Sequence, residues 1–152
     1  MIAEYKGTFC NIDLLVDPIE IWTYRPVEGF EKGITRRGTI FYEKKVSQKE
    51  IDRIFEVGFS VNWDGQWCGS SYNPVNNLLA LGTNDRTFAL AHNMEEDERG
   101  VYYCVLPLET FSEFRVKERD YITKEVSYRM VSPDEFKRLW KLFRTDLIPP
   151  RN

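Results

Sequence analysis

Side-chain polarity alternates with a period of two in one stretch after another, and a chain that does this repeatedly is built around β-sheet. Ile19, Ile21 and Thr23 alternate with Glu20, Trp22 and Tyr24, and Phe59, Val61 and Trp63 alternate with Ser60 and Asn62. Asp64 and Gly65 then supply the two central residues of a tight hairpin turn. The same reading predicts strands from Phe9 to Val16, Thr39 to Lys45, Thr87 to His92 and Val101 to Leu106, with Met94 to Arg99 as a solvated hairpin tip. A further strand is predicted over Ile122 to Met130. Its apolar face carries Ile122, the Lys124 stem, Val126, Tyr128 and Met130; its polar face carries Thr123, Glu125, Ser127 and Arg129.

Three helices are predicted from their ends. Ser47 caps a first one with Glu50 completing the box, Ile51, Ile54 and Phe55 share its buried face, and Gly58 stops it. A short second helix starts at Asn73 and Pro74, buries Val75, Leu78 and Leu79, and stops at Gly82. The third opens on Ser132, Pro133 and Glu135, buries Phe136, Leu139, Trp140 and Phe143, and is kept from continuing by Pro149 and Pro150. Strands outnumber helices without alternating regularly with them. The expected fold is therefore α+β, a single domain over residues 1–152, with about three helices packed on a mixed or mostly antiparallel twisted sheet.

Composition narrows the function. With 42% hydrophobic and 14% aromatic residues, the 152-residue chain has ample material for a core, which excludes whole-chain disorder. Its 24 acidic and 21 basic residues give a net charge of -3, so nothing in the overall balance draws it to nucleic acid or an anionic membrane. Cys10, Cys68 and Cys104 have no zinc-like spacing, so no metal is expected and a reducing compartment fits. No signal-peptide pattern and no apolar run near the roughly 20 residues of a membrane span is present, so a cytoplasmic protein is expected.

Several chemistries lack parts. His92 is the sole histidine and reads as a structural or surface residue, and no phosphate-binding glycine loop occurs. Cys68 lacks a histidine nearby in sequence and reads as a poor candidate nucleophile. Trp63 and Trp67 flank the Asp64–Gly65 turn and read as a cross-strand aromatic pair; a base-stacking platform is the weaker alternative, given the net charge.

Four segments, in order, carry a family resemblance. Ile21 to Gly29 holds Arg25 followed by Pro26; Trp67 to Tyr72 holds Gly69, Ser70 and Ser71; Val101 to Leu108 follows; and Glu125, Val126 and Ser127 lie shortly before Ser132 and Pro133. This order resembles the ADP-ribosyltransferases of the cholera and pertussis toxin type. Their domains begin with a strand bearing an arginine, continue with a Ser-Thr-Ser strand and a helix, and later present a catalytic glutamate on a strand. The resemblance implies NAD as co-substrate, with Arg25 gripping its pyrophosphate and Ser70 and Ser71 ordering the cleft. It implies Glu125 as the catalytic carboxylate that stabilises an oxocarbenium-like state as nicotinamide leaves. The triplet here is Gly-Ser-Ser, and Thr123 stands where arginine-modifying members carry a second glutamate, so the resemblance does not extend to arginine as acceptor. The implied function is a small NAD-dependent mono-ADP-ribosyltransferase acting on a macromolecular, most simply protein, target. The alternative is a non-catalytic immunity or inhibitor protein that binds and neutralises a partner protein, steered by acidic surface toward a basic target.

Overall fold

The structure, a computed structural model, describes residues 1–97 and 99–148. Glu98, in the predicted hairpin tip, and the predicted stop residues Pro149 and Pro150 lie outside the described residues. The strands are β1 (Ile2–Tyr5), β2 (Thr8–Asp13), β3 (Ile19–Thr23), β4 (Glu31–Ile34), β5 (Ile40–Val46), β6 (Arg53–Trp63), β7 (Gln66–Asn73), β8 (Leu78–Thr83), β9 (Glu95–Glu96), β10 (Tyr102–Pro107), β11 (Phe114–Asp120) and β12 (Val126–Val131). Two α-helices join them, α1 (Arg86–Ala91) and α2 (Pro133–Phe143). The fold is thus β-rich and antiparallel in its paired registers, which corrects the α+β expectation with three helices.

Two of the predicted helices are strands. Ser47 and Glu50 do form a reciprocal capping box, but it closes only a single 3-10 turn over Gln48–Glu50. The chain then extends into β6, where Ile54 pairs with Ala3 and Phe55 with Ile2. Neighbouring side chains of a strand point to opposite faces, so Ile54 and Phe55 are both buried because both faces are covered there. That double burial imitates the helical spacing of Ile51, Ile54 and Phe55. The second predicted helix is a turn at Pro74–Asn77, with Asn77 at φ 58° and Val75 93% exposed, followed by β8. Conversely, the strand predicted over Thr87 to His92 is α1, because the Asp85 carboxylate accepts from the Phe88 N–H at 3.0 Å and caps it.

The third helix forms as predicted. Ser132 Oγ accepts from the Glu135 N–H at 3.1 Å, while the Glu135 carboxylate, expected to reach back to the cap, binds Arg138 instead.

The chain divides into two compact units, each drawn from separate stretches. One comprises Met1–Val57, Arg119–Val126 and Lys141–Asn152; the other comprises Gly58–Glu118 and Ser127–Trp140. In the first, the order β4-β5-β3-β2-β1 continues into the start of β6. Ala3, Tyr5, Cys10, Ile21, Val46 and Ile54 form its core on one face, and Phe9, Phe55 and Phe143 pack edge to face on the other. Asn11 anchors the segment after α2 by donating to the Thr145 carbonyl at 2.8 Å and accepting from its hydroxyl at 2.7 Å.

In the second unit, β7, β8, β10 and β9 follow β6 in that order, and β11 pairs with both β6 and β12. One face of these strands carries Phe59, Tyr72 and Phe114, which meet Phe136 of α2 at ring-centroid distances of 5.4, 6.4 and 5.0 Å. On the opposite face, among the described residues, exposed Tyr103, Val105, Tyr128 and Met130 stand.

Candidate functional site

The residues assigned by the family resemblance are placed as follows. Arg25 is exposed in the bend after β3, where its N–H donates to Thr23 Oγ1 at 3.3 Å. Glu125 is exposed and precedes β12, so the strand predicted from Ile122 begins only at Val126. Residues 121–125 instead connect β11 to β12 through a turn, in which the Asp120 carboxylate accepts from the Ile122 and Thr123 N–H groups at 2.8 Å each and Lys124 adopts φ 63°. Among the described residues the Arg25 and Glu125 side chains take part in no hydrogen bond or ion pair, and nothing joins them to each other.

Ser70 and Ser71 are consecutive on β7 and therefore point to opposite faces. The Ser70 hydroxyl is buried without a hydrogen-bond partner among the described residues, whereas Ser71 is exposed. A hairpin and β8 follow them where the resemblance implies a helix.

Cys68 lies inside β7 and is fully buried, and burial, with Cys104 nearby, pushes its thiol pKa up. A raised pKa suppresses the thiolate that a nucleophile needs. The predicted pairing of Trp63 with Trp67 does not form. Trp67 pairs with Asn62 and Gln66 with Trp63, which puts the two indoles on opposite faces. Trp63 joins Phe88, His92 and Phe111 on the inner side, with ring centroids 5.7, 4.5 and 6.0 Å away.

Trp67 belongs to an arrangement that sequence reasoning missed. The Arg115 guanidinium carbon lies 4.3 Å from the Trp67 ring centroid and 4.4 Å from that of Tyr128, and Nε donates to Ser60 Oγ at 3.2 Å. These residues come from β6, β7, β11 and β12. The small partners Ser60 and Gly69 face each other in register, and an added Cβ on Gly69 would meet nothing within 4 Å, so long side chains can lie across this part of the sheet. Each cation–π contact contributes about 0.5–2 kcal/mol depending on desolvation. The sequence reading places Tyr128 on the apolar face of its strand, pairs Trp67 with Trp63 and predicts no strand at Arg115; the convergence of these residues with Ser60 is set by non-local pairing.

Next to this cluster the floor of the face is made of small residues. Gly69 pairs with Gly82 and Ser71 with Ala80, and Gly82 and Ala80 pair in turn with Tyr103 and Val105. The Tyr103 hydroxyl donates to Glu95 at 2.9 Å. What results is an open sheet face with exposed aromatic and aliphatic groups at its sides, a shallow small-residue floor and one immobilised guanidinium.

Among the described residues no cluster of three or more His, Cys, Asp or Glu side chains is arranged to hold a metal, and no helix is long and apolar enough to cross a membrane. Compared with protein-family models, with curated proteins and with solved structures, the chain finds no match.

Proposed function

We propose that this chain is a non-catalytic binding protein of the immunity or inhibitor kind, which engages a partner protein through the open sheet face of its second unit. The observation that carries this reading is the uncovered face itself, where Arg115 is held against Trp67 and Tyr128 with Met130 on the same strand as Tyr128, and Tyr103 and Val105 stand on β10 across the small-residue floor, all four apolar groups at least 43% exposed. Exposed apolar groups sharing one uncovered sheet face mark interaction surfaces, and aromatic and arginine side chains supply most binding hot spots. The shallow glycine, alanine and serine floor suits a protein surface better than a small ligand, which needs a concave pocket to bury most of its area.

The test is to recover a partner at fixed stoichiometry with the full chain and repeat with Val105→Glu and Met130→Glu. These substitutions change exposed positions, so unfolding temperatures should stay near the parent value while the complex is lost. A complex that survives both variants ends the proposal. ADP-ribosyl transfer has a separate test: NAD binding by calorimetry together with NAD turnover abolished by Glu125→Gln would replace the binding reading with the enzymatic one.

A further inference from the structure

We propose that the Arg115 guanidinium is the recognition point for a carboxylate on an acidic, partly apolar segment of the partner protein; this rests on the binding reading of the same face. The guanidinium carbon lies over the rings of both Trp67 and Tyr128, and Nε donates to Ser60 Oγ. The Nη1 and Nη2 edge remains, and among the described residues no acceptor lies on it. An arginine held this way has already given up much of its side-chain freedom. It presents parallel N–H donors at the spacing of the two oxygens of a carboxylate, so ligand binding requires little further ordering.

The charges around it select the ligand. In this unit, the outward strand positions of β6, β7, β8, β10, β11 and β12 hold two cations, Arg115 and Lys117, and no carboxylate. The strip along β11 is therefore locally positive on a chain whose net charge is -3, with Glu113, just before β11, and Glu56, earlier on β6, as the acids at its two ends. Glu95, on β9 at the far edge of the sheet, is bonded to Tyr103. A nucleic acid is held by a track of cations that follows its phosphates, which two side chains do not make. A peptide segment with one or two carboxylates among apolar residues matches both the cations and the aromatic and aliphatic groups beside them. The net negative charge opposes such a segment at a distance, so the attraction operates within about a Debye length, ~8 Å at physiological salt.

The experiment uses the isotope-labelled full chain at constant ionic strength, following the Arg115 Nε–H and Trp67 indole N–H resonances. The probes are acetyl-Leu-Glu-Leu-Glu-Leu-amide, its glutamine counterpart, its phosphoserine counterpart and an oligothymidylate. The glutamate peptide should shift both resonances, and the glutamine peptide should need about ten-fold more or fail, because the charge-assisted pair is lost. Arg115→Lys, which keeps the charge and loses the stacked fork, should cut the Trp67 response to the glutamate peptide by about ten-fold while the rest of the spectrum stays folded. Equal responses to glutamate and glutamine, a response only to phosphoserine or oligothymidylate, no response to any probe, or an unchanged Arg115→Lys would each overturn the proposal. The two readings also fail separately. Partner capture that survives Arg115→Lys removes the anchor and spares the docking face, whereas capture that survives Val105→Glu and Met130→Glu removes the docking face itself.

Discussion

At the scale of single residues, His92 is held at both ring nitrogens. Its Nε2 lies 2.8 Å from the Asp64 carboxylate and its Nδ1 2.8 Å from the Phe88 carbonyl, with the ring stacked on Phe88 at 3.9 Å. Both neighbours are acceptors, and a neutral imidazole has one N–H, so only the imidazolium satisfies both. The Asp64 hydrogen bond, then the Phe88 carbonyl, accordingly raise the His92 pKa above its ordinary value. Because the folded value is the higher one, the stabilisation is complete below the unfolded pKa of about 6.5 and disappears as pH rises through the folded value. His92→Gln should therefore melt below the parent at about pH 5, with the gap closing by about pH 9. Thermal melts across that range check this, and a gap that does not vary with pH would rule out the imidazolium. The sequence reads His92 as a structural or surface histidine, and the structure makes it the C-cap of α1. That it ties the C-terminus of α1 to the Asp64–Gly65 turn depends on a contact 28 positions apart.

At the scale of elements, α2 was legible because its determinants are local. Ser132 caps it, Pro133 suits its first turn, and Phe136, Leu139, Trp140 and Phe143 are spaced for one buried stripe. Phe136 is fully buried among Phe59, Tyr72 and Phe114, so Phe136→Ala should cost about 3–5 kcal/mol in chemical denaturation. Ser132→Ala removes one cap and should cost about 1 kcal/mol, so the two variants should separate clearly in denaturation midpoint. If Phe136→Ala costs no more than Ser132→Ala, the packing account of α2 is wrong. The start of β6 was misread for the opposite reason. Its sequence satisfies a helical spacing, and only pairing with β1 and cover on both faces decide that Ile54 and Phe55 belong to a strand. Likewise Asp85 is an ordinary polar residue until its carboxylate meets the Phe88 N–H and starts α1.

At the scale of the whole molecule, the cysteines report burial in both units. Burial pushes the Cys10 thiol up to about 11 and also raises Cys68, and both side chains are fully buried, whereas Cys104 is partly exposed. Thiol labelling of the native chain should therefore modify Cys104 first and leave Cys10 and Cys68 protected, with the order vanishing in denaturant. Mass spectrometry of timed samples reads this directly. Cys10 reacting as fast as Cys104 would contradict the burial described for the first unit.

The amino-acid order alone determined the period-two strands around Ile21 and Val61, the Asp64–Gly65 hairpin and the capped C-terminal helix, because turn geometry, caps and side-chain alternation act over a few residues. Tertiary structure decided the rest. It chose strand over helix in β6 and β8, placed Ser70 and Ser71 on opposite faces, and brought Ser60, Trp67, Arg115 and Tyr128 together. The physical reason is that sheet pairing joins residues far apart in the chain, and the register that does so is set by burial summed over whole faces rather than by any short segment.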